Sequence, residues 1–194
     1  MTMPQPTPAH RALERLIGHW QGEERIHPSP WAPTGAMAQG TVFNRSALDG
    51  FAVVQDYAQA RGGQVNFRGH GIFRWDQERG EYVLHWFDSS GQAPAEFRGP
   101  FLDGVLTLGA MHMQGHTRAI FDFRATDRYL YRMDVSPDGS QWHPFMEGTY
   151  LRQAPARLAR HGPGPRAGDA ERGHRGPRRK GPPPERAELS VDLP

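Results

Sequence analysis

The sequence predicts an all-β protein: a closed antiparallel β-barrel of about ten strands, with one short N-terminal helix and a disordered C-terminal tail. Short strand-like runs follow one another at intervals of about ten residues, and tight-turn residues separate them. Only one stretch has helical periodicity, and no strand is followed by a helix long enough for a parallel crossover. An open sheet of so many antiparallel strands would leave exposed edges, which favours closure into a barrel.

Composition divides the chain into a flexible N-terminus (1–8), a barrel domain (9–153) and a disordered tail (154–194). All 10 Phe, 5 Trp and 5 Tyr residues lie between Trp20 and Tyr150. The tail is rich in Pro, Gly and Arg and contains no aromatic residue. Such a segment cannot bury enough apolar surface to offset the entropy of ordering it, so we expect it to be disordered.

The charge distribution excludes several classes of protein. The formal net charge is +2, and the tail has 9 Arg or Lys against 5 Asp or Glu, which leaves −2 for residues 1–153. The domain therefore gives no electrostatic reason to expect specific nucleic-acid binding, although the tail could touch RNA, DNA or an acidic surface by counterion release. The absence of cysteine excludes disulfides and thiolate chemistry. With no signal peptide and no long apolar run, we expect a soluble cytoplasmic protein without membrane contact.

The first half of the chain gives one helix and then alternating strands. Apolar residues from Ala9 to Ile17 recur at helical spacing, and Gly18 ends that helix. An extended run continues to about His27, and a proline-rich loop follows. Two strands of nearly period-two alternation then flank Asp49-Gly50, which predicts a hairpin. The next strand, residues 64–76, has glycines at positions 69 and 71, which predict a bend or the close approach of another group.

The second half continues the meander through two clear turn signals. Residues 81–90 are apolar on both parities, so we expect this strand to be covered on both faces. A weaker strand at 94–101 precedes Asp103-Gly104, a second two-residue hairpin signal. Two further strands lead to the last hairpin, where Ser136-Pro137-Asp138-Gly139 separates two aromatic-rich runs between Thr126 and Arg152.

Several motifs in this order resemble the bacterial DUF1579 family over roughly residues 9–152. An N-terminal Gly18-His19-Trp20 entering the first strand is similar to lipocalin and calycin barrels. The motifs shared with the family are Gly80-Glu81-Tyr82, Trp86-Phe87-Asp88-Ser89, Asp103-Gly104, Ser136-Pro137-Asp138-Gly139 with Trp142, and Glu147-Gly148-Thr149-Tyr150-Leu151-Arg152. The resemblance implies a closed calycin-type barrel in a family whose biochemical function is unassigned.

A more distant resemblance connects the chain to the nitrobindins, ten-stranded barrels that hold haem through one histidine. No histidine of this sequence matches their ligand by motif, so haem is an alternative based on fold alone. We otherwise expect no cofactor and no metal site.

We predict that the lumen binds a small apolar or amphipathic molecule. Aromatic side chains would form the walls and a few polar side chains would orient the ligand. The predicted ligand-binding residues are Phe73, His85, Trp86, Tyr131, Arg132, Trp142 and Glu147. His85 lies within the most apolar run, which favours a buried or lumenal position.

The closing hairpin leaves open which side chains face the lumen. If Arg132, His143 and Glu147 face inward, the lumen has a charged floor; if the aromatic parity faces inward, those charges form a solvated face. We favour the second arrangement for Arg132, because exposed cross-strand ion pairs are common. Two other functions stay open: an enzyme that uses lumenal His and Glu as acid and base, and an interaction module with a filled barrel. Whichever function holds, the protein could form a homodimer.

Overall fold

The computed structural model describes residues 3–29, 32–113 and 115–154. Within them the chain forms a closed antiparallel β-barrel preceded by one short helix, which confirms the predicted fold class. The predicted tail, apart from Ala154, lies outside the described residues.

The barrel wall is a meander in which each strand pairs with its neighbours in sequence. Its strands are β1 (Gly18–Ile26), β2 (Ala36–Ala47), β3 (Ala52–Arg61), β4 (Gln64–Asp76), β5 (Glu81–Asp88), β6 (Ala95–Gly99), β7 (Phe101–Leu102), β8 (Val105–His112), β9 (Gly115–Asp122), β10 (Arg128–Ser136) and β11 (His143–Gln153). β6 and β7 pair with β8 in one continuous register on either side of Pro100, so together they act as one interrupted strand. The wall therefore has ten strands.

Two pairings close the sheet on itself. The first strand pairs with the last, since β1 runs antiparallel to β11 from His19 opposite Gln153 to Ile26 opposite Met146. On the other side β6 pairs with both β5 and β8, the latter at Arg98 opposite Gly109. Closure leaves no long strand edge unpaired, and this is the reason for which a closed barrel was expected from the sequence.

The N-terminal helix closes the end of the barrel at which β1 begins. The helix α1 (Pro8–Ala12) continues into a 3₁₀ turn (Leu13–Leu16) whose two leucines are buried. The carbonyl oxygen of Leu16 accepts hydrogen bonds from Trp20 Nε1 at 2.9 Å and from Asn44 Nδ2 at 2.8 Å. These two hydrogen bonds tie the end of the 3₁₀ turn to β1 and β2. No helix in the described part of the chain is long and apolar enough to cross a membrane.

The predicted turns are mostly confirmed. Asp103 and Gly104 both have positive φ, 48° and 83°, and join Leu102 to Val105 as a two-residue hairpin. In the last hairpin, the Ser136 hydroxyl accepts a hydrogen bond from the Gly139 amide at 2.8 Å. The turn at Asp49-Gly50 is longer than predicted, because Ala47 pairs with Ala52 and a 3₁₀ turn (Leu48–Gly50) lies between them.

Register determines which side chains fill the barrel. Trp20, Val42, Phe73 and Leu84 face inward and are almost fully buried. Most of the buried apolar side chains form one cluster that also includes the two leucines of the N-terminal turn. The half of the barrel near the helix is therefore filled by packed apolar side chains, and the inward-facing side chains that keep some exposure lie toward the other end.

Candidate functional site

A buried carboxylate is the central feature of the other half of the barrel. Glu24 lies on β1 between Gly22 and Ile26 on the inward row, and its side chain is fully buried. The Tyr57 hydroxyl donates to both of its carboxylate oxygens, at 2.8 and 2.9 Å, and Gln59 Nε2 donates to Oε2 at 2.7 Å. The Tyr150 hydroxyl donates to Oε1. We call Glu24, Tyr57, Gln59 and Tyr150 the Glu24 cluster.

All the donors of the Glu24 cluster are neutral groups. Burial raises the pKa values of the Tyr57 and Tyr150 hydroxyls far above the ordinary tyrosine value. The neighbouring Glu24 raises both pKa values further. Burial and Glu24 likewise raise the pKa of Tyr131. No salt bridge to Glu24 occurs among the residues that the structure describes. The cluster is therefore a buried acid held by hydrogen bonds alone, which is unusual because buried charges are normally paired.

Glycine makes room for this cluster in the barrel wall. A Cβ atom at Gly40 would lie 2.6 Å from Glu24 Oε1 and closer still to the Tyr150 hydroxyl. Gly22 is the direct cross-strand partner of both Gly40 and Tyr150. The Tyr150 ring and the carboxylate occupy the volume that these glycines leave free.

Around the cluster, large inward-facing side chains keep part of their surface exposed. Tyr57 lies between Phe67 and Trp86, with ring centroids 6.0 and 6.1 Å away. The partly exposed inward side chains at this end are Tyr57, Phe67, Trp86, Tyr131, Met133 and Met146. We call this set the open end of the barrel. Partial exposure of residues that point inward means that solvent, or a ligand, can reach them.

Three of the predicted ligand-binding residues do face inward. Phe73 is fully buried and packs against Phe121 with ring centroids 5.9 Å apart, so it belongs to the packed half. Trp86 lies over Gly69, where a Cβ atom would collide with its ring, and its Nε1 donates to Asp88 Oδ2 at 3.0 Å. Tyr131 is the third, and it belongs to the open end. The predicted close approach at the β4 glycines is confirmed by Trp86.

The polar residues predicted to orient a ligand in the lumen lie instead on the outer face. His85 pairs across the sheet with Ile72, accepts a hydrogen bond from Arg74 Nε at 3.2 Å and lies 3.4 Å from Glu96. Arg132 donates to Asp134 Oδ1 at 2.6 Å. Each of them follows an inward neighbour by one residue, so the register places both on the outer face. This corrects the lumenal position predicted for His85, whereas for Arg132 it is the arrangement that the sequence analysis favoured.

Glu147 also lies on the outer face, one residue after the inward Met146. Its carboxylate is 3.4 Å from His27 Nε2. Neither His85 nor His143 therefore meets Glu147 inside the barrel, as the acid and base alternative would need. The aromatic parity favoured for β10 is the one observed, with Tyr131 inward and Arg132 outward.

A β-bulge explains the position of Trp142. The register of β10 and β11 shifts so that Met133 pairs with Met146 and Asp134 pairs with Pro144, which leaves Phe145 unpaired. The extra residue reverses the parity expected for the segment before it. Trp142 accordingly lies outside the lumen, with the Arg118 guanidinium 4.3 Å above its ring.

Sequence reasoning missed the Glu24 cluster. The run from His19 to His27 carried a usable signal, because Glu24 shares the parity of Trp20 and Ile26. A lone acid on an apolar row indicates a buried polar group that needs partners. The identity of those partners, Tyr57, Gln59 and Tyr150, depends on pairings between distant strands that no local pattern encodes.

No group of three His, Asp or Glu side chains within residues 3–29, 32–113 and 115–154 is arranged to hold a metal ion. The histidine considered for haem, His85, is engaged on the outer face by Arg74 and Glu96. Haem binding in the lumen through His85 would require the register of β5 to change.

Comparisons with known proteins agree with the barrel. The sequence matches the family described as "Protein of unknown function (DUF1579)" over residues 5–152. The structure is similar to Rv2717c from M. tuberculosis, with a TM-score of 0.55 and 16% identity over 76% of this chain and 99% of that one. It is also similar to the S-type phycobiliprotein lyase CPES from Guillardia theta, with a TM-score of 0.52 and 10% identity over 77% and 94%. No curated protein matches the sequence.

Proposed function

We propose that this chain, which belongs to the DUF1579 family, binds a small amphipathic molecule in the open end of its barrel. The observation that carries the proposal is the partial exposure of inward-facing aromatic and methionine side chains around a buried polar cluster. Apolar walls with a few convergent polar groups are the usual composition of a small-molecule site. A barrel of this strand number can enclose one such ligand.

The two ends of the barrel have different roles in this proposal. The helix and the packed aromatic core close one end and give the wall its rigidity. The ligand enters at the other end and lays its apolar part against Trp86, Phe67 and Met146. The Tyr131 hydroxyl, which forms no hydrogen bond to the described residues, is free to contact the polar part.

Binding should change tryptophan fluorescence, because Trp86 lies in the open end. Purified protein would be titrated with decylamine, decyl alcohol, decanoic acid, hemin and biliverdin, the last included because a phycobiliprotein lyase shares the fold. We expect at least one of these to quench the emission and to raise the melting temperature.

Two matched variants locate the binding. Trp86→Phe should remove most of the quenching, whereas Trp142→Phe, on the outer face, should keep it. Melting temperatures measured with the same ligands show whether each variant still binds. Unchanged emission and melting temperature across the whole panel would contradict the proposal, as would quenching that depends on Trp142.

A further inference from the structure

We infer that the polar end of the ligand is a protonated amine, an inference that rests on the proposed lumenal binding. The buried Glu24 carboxylate and the aromatic rings beside it form a site complementary to a cation.

Neutral hydrogen-bonding groups surround the Glu24 carboxyl group, and no cation contacts it among the described residues. Three donors, the Tyr57 and Tyr150 hydroxyls and Gln59 Nε2, are directed at its two oxygens. An ionised carboxylate only accepts hydrogen bonds, so these neutral donors would leave its charge without a cationic partner among the described residues, a place that an ammonium group can take.

The rim of the open end carries a second acid on the inward row, while Arg68 and His70 line the same surface depression. Asp88, on the inward row of β5 opposite Gly69, is held by Trp86 Nε1 at 3.0 Å and by the Ser90 amide at 2.9 Å. Arg68 is exposed and lies on the outward row of β4, whereas Glu24 and Asp88 are both on inward rows. Inside the lumen a ligand with a carboxylate or phosphate would therefore face two acids, and one with an ammonium group would be attracted by both.

The aromatic rings supply the second half of a cation site. Tyr57, Phe67 and Trp86 lie side by side, and the electron-rich faces of such rings attract ammonium groups. Because the Glu24 side chain is fully buried, an ammonium group contacts it through the Tyr57 hydroxyl or by displacing one of its donors. The carboxylate then stabilises the bound ammonium group mainly by its charge, which acts more strongly at the low dielectric constant of the protein interior.

Three ligands with the same alkyl chain test this inference. Decylamine, decyl alcohol and decanoic acid would be titrated at neutral pH, with affinity measured by fluorescence and by calorimetry. We expect the amine to bind at least about tenfold more tightly than the alcohol, and the acid to bind most weakly. This order needs no substitution, so it does not depend on the folding of any variant.

A matched pair of substitutions assigns the preference to Glu24. Glu24→Gln keeps the size of the side chain and removes its charge, and we expect it to abolish the tenfold preference for the amine over the alcohol. Glu23→Gln makes the same change of net charge on the outer face of the same strand, and should leave the preference intact. Circular dichroism and melting temperature would check that both variants fold.

The outcomes separate the two proposals. If all three ligands bind the wild-type protein equally, lumenal binding stands and the amine inference is overturned. The inference is likewise overturned if Glu24→Gln folds and keeps the preference, or if Glu23→Gln abolishes it. If none of the three ligands and no tetrapyrrole binds, the proposed function itself fails and the inference fails with it.

Discussion

Gly40 shows how a single residue without a side chain determines the position of the buried acid. Its missing Cβ leaves the space that the Glu24 carboxylate and the Tyr150 hydroxyl share. The hydrogen bond between these two groups joins β1 to β11, the first and last strands of the barrel. One glycine on β2 therefore supports both the candidate site and the closure of the sheet.

Substitution of Gly40 by alanine should destabilise the protein by about 1–3 kcal/mol, because overpacking forces neighbouring side chains out of place. The added methyl group would lie 2.6 Å from Glu24 Oε1, in a fully buried region. The free energy of unfolding would be measured in urea for Gly40→Ala and for the control Gly109→Ala.

Gly109 is a suitable control because it lies in β8 and the nearest atoms to an added Cβ are 3.9 Å away. We expect Gly109→Ala to change the free energy of unfolding by less than about 1 kcal/mol. Equal losses of unfolding free energy for the two variants would show that the space around Glu24 does not restrict the side chain at position 40.

Elements of the barrel differ in how far the sequence could predict them. The strands and the Asp103-Gly104 turn were predictable, because glycine, aspartate and proline mark turns through local backbone preferences. The direction of Trp142 was not, because one unpaired residue at Phe145 reverses the parity of the chain before it. The lumenal placement of His85 failed for a related reason, since an apolar run does not reveal which parity faces inward.

The N-terminal helix has a structural role that its short length does not suggest. Its 3₁₀ turn places Leu16 in the packed end of the barrel, and the Leu16 carbonyl oxygen satisfies both the Trp20 indole and the Asn44 amide. Those two groups would otherwise be buried without partners, at a cost of about 1–3 kcal/mol each. The helix thus closes the barrel through polar contacts as well as apolar packing.

Leu16→Ala should lower the free energy of unfolding by about 2–5 kcal/mol, because it creates a cavity under the helix. Leu16 is 1% exposed, whereas Leu102 is 66% exposed, so Leu102→Ala is the matched control and should cost less than about 1 kcal/mol. Urea unfolding of the two variants gives the comparison. A small effect at Leu16 would mean that the helix contributes little to closing the barrel.

At the scale of the whole molecule, the barrel keeps all five of its tyrosines as neutral phenols. Burial raises the pKa of Tyr57, Tyr82, Tyr129, Tyr131 and Tyr150 above the ordinary value of 10.0. These residues lie on four strands, β3, β5, β10 and β11, so their ionisation reports on the integrity of a large part of the wall.

The raised pKa values connect stability to alkaline pH. Below pH 10 the tyrosines are protonated in both the folded and the unfolded chain, so the stability that they contribute is fully present. Above pH 10 the unfolded chain releases these protons while the folded barrel retains them, and stability falls as the pH rises. Each tyrosine that ionises only on unfolding contributes a slope of about 1.4 kcal/mol per pH unit.

We therefore expect phenolate absorbance to appear only as the barrel unfolds. An alkaline titration of the native protein would follow tyrosine absorbance and circular dichroism together, with the urea-unfolded protein as the reference that titrates near the ordinary pKa. Tyr150→Phe removes one buried phenol. It should therefore reduce the slope of the free energy of unfolding against pH by the contribution of one tyrosine. Phenolate absorbance that rises near the ordinary pKa, while the circular dichroism stays native, would show that the open end admits water to the Glu24 cluster.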